Sequence, residues 1–256
     1  MISNAQIAMM AAQVVYGILG PVILFLFLKH RYGMKTEAFV IGCVTMLVFA
    51  MVLESAVHRL VLGSSAGETI IGNTVYYALY GGLMAAAFEE TGRYIAFHVF
   101  MKHLHDDKRN AIMYGAGHGG LEVFMIIGMT GISNLALAIS INNGSLPGYA
   151  GDEAAILEQS VAVLKDTAAS AYILGMIERI SAVMLQIALS IIVWQTVRQV
   201  RGRIMYLFIA LLIHFAVDFS TVILTSMIPL AAYEAILLAV SAVIFLLSLR
   251  LYRKTH

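Results

Sequence analysis

Long apolar segments, with few polar interruptions, dominate the pattern of hydrophobic and polar positions along the chain. A helix needs about 20 mostly apolar residues to cross the hydrocarbon core of a bilayer. Seven segments meet this requirement, at approximately 5–28, 37–62, 72–101, 109–141, 170–197, 204–228 and 231–250. We therefore predict an all-α polytopic membrane protein with about seven transmembrane helices, forming a single membrane domain over residues 1–256. The segment 109–141 is too long for one straight crossing, which predicts a break or a tilt within it.

The composition agrees with this reading and excludes other classes of protein. Of the 256 residues, 61% are hydrophobic and 12% are charged, whereas soluble domains are about 45–50% apolar and about 25% charged. A soluble globular domain is therefore excluded. The single cysteine excludes a disulfide scaffold, and a net charge of +1 gives no basis for binding nucleic acid.

The basic residues predict the orientation of the chain in the membrane. Twelve of the 16 Lys and Arg residues follow the first, third, fifth and seventh segments: Lys29, Arg31, Lys35, Lys102, Lys108, Arg109, Arg198, Arg201, Arg203, Arg250, Arg253 and Lys254. By the positive-inside rule, the N-terminus is predicted outside and the C-terminus in the cytoplasm. The polar loop at about 142–168 is then extracytoplasmic, with a short surface helix predicted over 153–165.

Twelve ionisable side chains interrupt the apolar segments, where each charge costs at least about 2.5–3.5 kcal/mol on insertion scales. They are Glu54, His58, Arg59, Glu89, Glu90, Arg93, His118, Glu122, Glu178, Arg179, His214 and Asp218. Such groups must face one another or a wet cavity. The sequence therefore predicts a polar site inside the membrane.

The spacing of these side chains indicates which of them meet. Three pairs lie four residues apart and so share a helix face: Glu89 with Arg93, His118 with Glu122, and His214 with Asp218. Glu89, His118 and His214 lie 13, 9 and 11 residues from the nearest basic boundary. At the rise of an α-helix these are depths of about 20, 14 and 17 Å. We expect the three helices to bring these groups together near the middle of the membrane.

This combination of side chains suits the hydrolysis of a peptide bond by activated water. The adjacent carboxylates of Glu89 and Glu90 cannot both ionise cheaply in a low dielectric, and Arg93 can hold one of them ionised. The result is a general base for water. One histidine can orient the water, and His214 with Asp218 can stabilise a developing oxyanion.

Several alternatives remain open on the residues alone. Glu89 with Arg93 can be an intrahelical ion pair, and His214 with Asp218 a structural hydrogen bond. The glycines around His118 either leave room for a substrate backbone or allow close helix contact; they are Gly115, Gly117, Gly119 and Gly120. A second group is interpreted as an ion network or as part of the cavity: Glu54, His58, Arg59, Glu178 and Arg179.

No cofactor is expected, but zinc is an alternative. The helical zinc-protease motif H-E-x-x-H is absent from the sequence. Even so, His118, His214 and Glu89 offer two imidazoles and a carboxylate, which can bind Zn²⁺ and leave a position open.

Three motifs in order on three segments carry a family resemblance over nearly the whole chain. They are Glu89-Glu90-x-x-Arg93, the glycine-rich run from Tyr114 to Glu122 around His118, and His214-x-x-x-Asp218. These residues resemble the superfamily of CAAX proteases and bacteriocin-processing enzymes, which are glutamate-type intramembrane proteases. Within it they look most like the bacterial YhfC family.

The resemblance implies roles for the site residues. It implies Glu89 as the base that activates water. It implies His118 as orienting the water or stabilising the transition state, and His214 with Asp218 as the oxyanion pair or as a pair that supports the site from behind. Glu90 and Arg93 would be ion partners in the catalytic set, with a supporting role for three further residues, Glu122, Glu178 and Arg179. The prenyl-protein branch has EExxxR, so a prenylated substrate does not follow. The family resemblance also implies a histidine near the position of Gln186.

Three hypotheses follow for the function. The first is an intramembrane endopeptidase of the bacterial cytoplasmic membrane, acting on a membrane-embedded or membrane-associated polypeptide. The second is a proton-coupled carrier in which the same acids and histidines form a relay. The third is a non-catalytic membrane scaffold or immunity factor, since the superfamily also resembles such subunits.

Overall fold

The computed structural model describes residues 1–197 and 203–254, which form helices connected by short loops. Nine helices lie within these residues, and no strand does: α1 (Asn4–Tyr32), α2 (Thr36–Leu62), α3 (Ser65–Ile71), α4 (Thr74–Ile95), α5 (Arg109–Asn143), α6 (Asp152–Asp166), α7 (Ala169–Val197), α8 (Met205–Thr225) and α9 (Leu230–Lys254). The all-α prediction is confirmed. Helix α4 continues as a π-helical stretch, Ala96–Phe100, before a short 3₁₀ turn at Lys102–Leu104.

Local sequence signals explain where several helices begin and end. Ser3 and Gln6 form a reciprocal capping box at the start of α1, and Asn73 caps α4 through its side chain. Gly33 and Gly144 follow α1 and α5 with φ of 64° and 66°, the left-handed conformation that glycine adopts without steric cost.

In the part of the chain that the structure describes, six helices are long and apolar enough to cross a membrane: α1, α2, α5, α7, α8 and α9. The protein is therefore a multi-pass membrane protein. Helix α4 corresponds to the third predicted segment and is also long, but the charged residues Glu89, Glu90 and Arg93 lower its hydropathy. A count of seven crossings thus stays a prediction that depends on α4.

π-Helical stretches interrupt two of the six apolar helices. They lie at Leu47–Glu54 in α2 and at Phe124–Met129 in α5. The extra residue of a π-turn rotates the following part of the helix, and such turns are frequent at functional sites. The break predicted within 109–141 is confirmed at Phe124–Met129, directly after the part of α5 that carries His118 and Glu122.

The basic connections gather at one end of the helix bundle. Arg109 Nη1 donates to the carbonyl of Tyr32 at 2.9 Å, which joins the α4–α5 connection to the end of α1. Lys108 Nζ donates to the carbonyl of Tyr252 near the end of α9, also at 2.9 Å. The basic residues that follow the first, third and seventh predicted segments therefore lie at the same end of the bundle, as the orientation prediction requires.

The N-terminus and the loop after α5 lie together at the opposite end. The Ile2 amide donates to Asn142 Oδ1 at 2.8 Å, and Gln6 Nε2 donates to the Thr167 carbonyl at 2.8 Å. Helix α6 confirms the surface helix predicted over 153–165. Of the basic residues used for the orientation, Arg198 and Arg201 lie outside the described residues.

Close helix contacts explain the glycines around His118. A Cβ at Gly117 would lie 2.1 Å from the carbonyl oxygen of Phe39 on α2, and one at Gly115 would lie 2.6 Å from Ile187 Cα on α7. The space beside these glycines is occupied by neighbouring helices, so the expectation that they make room for a substrate backbone is wrong. All four are buried: Gly115, Gly117, Gly119 and Gly120. Small residues of this kind let membrane helices approach closely, and here they fix His118 between α2 and α7.

Candidate active site in the membrane core

Glu89 on α4 lies at the point where three helices meet. Its Oε2 accepts a hydrogen bond from His118 Nε2 on α5 at 2.9 Å and another from Gln186 Nε2 on α7 at 2.8 Å. Because a carboxylate oxygen only accepts, the proton of this His118 tautomer is assigned to Nε2. The described residues supply no hydrogen bond to Glu89 Oε1. One oxygen of Glu89 is thus held, and the other is available.

Glu90 and Arg93 form an ion pair that is closed off from the surroundings. Arg93 Nη1 donates to both oxygens of Glu90, at 2.6 and 2.7 Å, and both side chains are fully buried. His214 Nδ1 on α8 donates to Glu90 Oε1 at 2.8 Å. The intrahelical pair proposed between Glu89 and Arg93 is wrong, because Arg93 turns to Glu90 and its other amino group donates to Gln186.

The second ring nitrogen of His214, Nε2, faces Glu89 and Asp218. Its Nε2 lies 3.9 Å from Glu89 Oε2 and 3.4 Å from Asp218 Oδ2. The strong partner of His214 is therefore Glu90, and its contact with Asp218 is long for a hydrogen bond. The predicted convergence of Glu89, His118 and His214 is confirmed.

Arg179 on α7 extends this network to two further glutamates. It donates through Nη1 to Glu122 Oε1 at 2.8 Å and through Nη2 to Glu178. Gln186 Nε2 also reaches Glu122 Oε2 at 3.3 Å. The three residues expected to support the site, Glu122, Glu178 and Arg179, thus connect to Glu89 through Gln186.

A cavity of about 240 Å³ opens beside Glu89. Its walls come from α4, α5, α7, α8 and α9, and its lining is half polar: Glu89, Glu122, Glu178, Arg179, Ala182, Leu185, Gln186, His214, Val217, Asp218, Thr221, Leu237 and Ser241. Glu90, Arg93 and His118 are fully buried behind it. The arrangement separates groups that can touch a ligand from groups that hold them in place.

The second predicted group does not form one network. Glu54 Oε1 contacts His58 Nε2 at 3.1 Å, and His58 Nδ1 lies 2.9 Å from the hydroxyl of Tyr80. Arg59 is exposed, and no acid among the described residues pairs with it. Glu178 and Arg179, which were grouped with these residues, line the main cavity instead.

A second cavity, of about 320 Å³, is adjacent to the first, because Asp218 and Thr221 line both. His58, Tyr77 and Tyr80 form part of its wall. This cavity therefore lies between α2, α4 and α8.

Gln186 is the site residue that sequence reasoning did not include. It bonds to Glu89, Glu122 and Arg93 at once, and its side chain is almost completely buried. A signal was present: Gln186 lies seven residues after Arg179 in an apolar segment, and hence on the same helix face. The histidine implied at this position is replaced by an amide that both donates and accepts.

Comparison with known proteins identifies relatives of this membrane protein. Residues 16–240 match the family model described as "YhfC intramembrane metalloprotease". The chain belongs to the YhfC family. It is 36% identical over 217 residues to "Uncharacterized membrane protein YhfC" of Bacillus subtilis (strain 168), covering 84% of this chain and 83% of that protein. No solved structure shows significant similarity to this member of the YhfC family.

The description of the YhfC family implies a metal, and the donor set at the cavity fits one. His118, His214 and Glu89 supply two imidazoles and a carboxylate, the donors of one class of catalytic zinc sites. The carboxylate of Glu90 on His214 Nδ1 is the support that metal-binding histidines commonly have, and it leaves Nε2 towards the cavity. In residues 1–197 and 203–254, no group of three or more His, Cys, Asp or Glu side chains is arranged so that it could hold a metal ion.

Proposed function

We propose that this protein hydrolyses a peptide bond of a membrane-embedded or membrane-associated polypeptide, in the bacterial cytoplasmic membrane. The observation that carries the proposal is the meeting of Glu89, His118 and His214 from three helices, with Glu89 and His214 lining one cavity and His118 buried behind Glu89. An enzyme that uses water inside a membrane needs a wet site, a base and a group that stabilises negative charge. The family description supports the same class of reaction.

In the proposed reaction, Glu89 is the general base. Its carboxylate takes a proton from a water in the cavity while the water oxygen bonds to the carbonyl carbon of the substrate. The bond between that carbon and the amide nitrogen then breaks, and the proton passes from Glu89 to the leaving nitrogen. Glu89 Oε1 is the oxygen available for this, because His118 and Gln186 hold Oε2.

His214 is the group best placed to stabilise the oxyanion. Its Nε2 faces the cavity beside Glu89 and Asp218, and its Nδ1 is fixed by Glu90. The ion pair between Glu90 and Arg93 keeps Glu90 an acceptor for Nδ1 of His214, and Nε2 is the nitrogen that can donate to the oxyanion. Asp218 is a partner of the same ring on the cavity side.

A zinc-dependent form of the same reaction is the second candidate. The description of the YhfC family as a metalloprotease and the donor set of His118, His214 and Glu89 favour it. A bound Zn²⁺ would polarise the peptide carbonyl as a Lewis acid. In that form the same three side chains would bind the ion, and Glu90 would keep its role of orienting His214.

Reconstitution with a panel of fluorogenic membrane peptides tests the proposal. We expect cleavage by the wild type and by Glu158→Gln, a control on the exposed face of α6. Glu89→Gln and His118→Ala are expected to lose cleavage while keeping the fold. Unchanged cleavage by both variants would refute the assignment, and pH-dependent flux without peptide products would favour the carrier.

Metal analysis separates the two forms. We expect protein purified without chelator to contain no stoichiometric zinc and to keep its activity in EDTA. Loss of activity in EDTA that zinc restores would favour the second candidate. Glu89→Gln that cleaves normally but loses zinc would contradict both forms.

A further inference from the structure

The main cavity carries an excess of negative charge that the proposed reaction does not require. Four carboxylates line it, those of Glu89, Glu122, Glu178 and Asp218, against one arginine, Arg179, and one histidine, His214. Hydrolysis needs one carboxylate as a base. The other acids in the lining therefore call for a separate explanation, since each is costly to place in a membrane.

Two of these acids keep unused capacity to accept hydrogen bonds. Glu178 has one bond, from Arg179, and Asp218 has only the 3.4 Å contact with His214. About a third of each of the two side chains is exposed, 32% for Glu178 and 34% for Asp218. An ionised carboxylate can accept about four hydrogen bonds. Both acids can therefore bind a further donor from the cavity.

An unpartnered hydroxyl on α9 lies at the same cavity. Ser241 lines it and is completely buried, and its Oγ has no hydrogen-bond partner among the described residues. Glu234 lies two helical turns earlier on α9 and is 3% exposed, with an Oε2 that also lacks a partner in the described chain. Ser241 Oγ can therefore accept a hydrogen bond from a ligand in the cavity.

The shape of the cavity favours a slender group over a bulky one. Its volume of about 240 Å³ is below the range of about 300–1,000 Å³ typical of pockets for drug-sized ligands. Apolar side chains line the space between the acids, namely Ala182, Leu185, Val217 and Leu237. A long aliphatic stem that ends in a cation matches such a lining.

We propose that Glu178, Asp218 and Ser241 form a subsite for the cationic side chain of a lysine or arginine next to the scissile bond of the substrate. This inference rests on the proposed peptidase function and names its substrate class. The subsite joins α7, α8 and α9, and its three side chains line the same cavity as Glu89. A cation that enters the membrane must be paired, and these acids provide the pairing beside Glu89.

Two matched peptides test the subsite by cleavage. Each is a fluorogenic peptide of about 20 apolar residues, and the two differ only in having lysine or its neutral isostere norleucine at one position, which is moved along the peptide. At the best position we expect the wild type to favour lysine by at least about thirtyfold in kcat/KM, mainly through KM. Glu178→Gln should lower that preference at least about tenfold, and Ser241→Ala about threefold to tenfold. Glu158→Gln should keep the wild-type preference.

A binding measurement separates failure of the subsite from failure of the peptidase function. In detergent, n-butylammonium chloride should raise the unfolding midpoint of the wild type, whereas the neutral n-butanol should not. The shift should be smaller in Glu178→Gln and in Ser241→Ala. This measurement needs no cleavage, so it tests the subsite even if no peptide is hydrolysed.

The outcomes are distinct. Cleavage without preference for lysine at any position overturns the subsite and leaves the peptidase function standing. A butylammonium shift without cleavage of either peptide supports the subsite and counts against the peptidase. No shift with butylammonium overturns the subsite, as does a shift produced only by Zn²⁺, Ca²⁺ or Mg²⁺ and lost in Glu178→Gln.

Discussion

Replacing Arg93 by methionine tests the buried ion pair on which the site is built. Arg93 Nη1 donates to both oxygens of Glu90, and neither side chain is exposed. In Arg93→Met, Glu90 keeps only His214 as a partner and becomes an uncompensated charge in the protein interior. Removing one partner of a buried pair costs about 3–5 kcal/mol, a factor of about 10² to 10⁴ in the unfolding equilibrium. We expect a loss of stability of this size.

The double variant Arg93→Met with Glu90→Gln separates charge from packing. It removes both charges, so we expect most of the stability to return. About 1–2 kcal/mol should remain lost, because Gln186 no longer receives the hydrogen bond from Arg93. Unfolding in mixed micelles with increasing sodium dodecyl sulfate can be followed by the fluorescence of Trp194, the single tryptophan, which is 1% exposed. Equal stability of the single and double variants would refute the reasoning.

Three further predictions concern catalysis, helix contact and the amide bridge. Glu89→Gln should lower kcat by about 10²–10⁴-fold, since general-base catalysis contributes about that much. The tryptophan fluorescence should be unchanged, and a normal kcat would contradict the role of Glu89 as the base. Gly117→Leu should destabilise the protein by about 1–3 kcal/mol, because its Cβ would lie 2.1 Å from the Phe39 carbonyl oxygen. Faster reaction of the single cysteine with a maleimide dye would show that α2 and α5 separate. Gln186→Leu should cost about 1–3 kcal/mol for each buried partner left without its bond, measured by the same micelle titration; a stability equal to wild type would show that the bridge contributes little.

The sequence was sufficient for the features that depend on regular helix geometry. Apolar length predicted the helices, and spacing of four residues placed His118 with Glu122 and His214 with Asp218 on shared faces. These pairs lie in regular α-helical stretches of α5 and α8, where the rule of 3.6 residues per turn applies. The alternation of basic connections likewise predicted which helix ends lie together.

Side-chain partners could not be predicted in the same way. Glu89 and Glu90 are both within reach of Arg93 by spacing, and only the packing of α8 and α7 against α4 decides that Arg93 pairs with Glu90. The position of Gln186 depends on the same packing. The role of the glycines near His118 could not be predicted without knowing which helices lie beside them. The π-helical stretches change the helix register after Met46 and Val123, which apolar periodicity does not show.

The contrast between the two adjacent glutamates supports assigning the role of base to Glu89. Both are buried on the same turn of α4, but only Glu89 lines the cavity and keeps an oxygen without a hydrogen bond. Glu90 has both oxygens bound by Arg93 and one of them also by His214. A base must be able to reach water and to gain a proton, and Glu90 could do so only by giving up its ion pair. The fixed charge of Glu90 is better suited to holding His214 in place. Two adjacent glutamates can thus have different functions, because their side chains point into different surroundings.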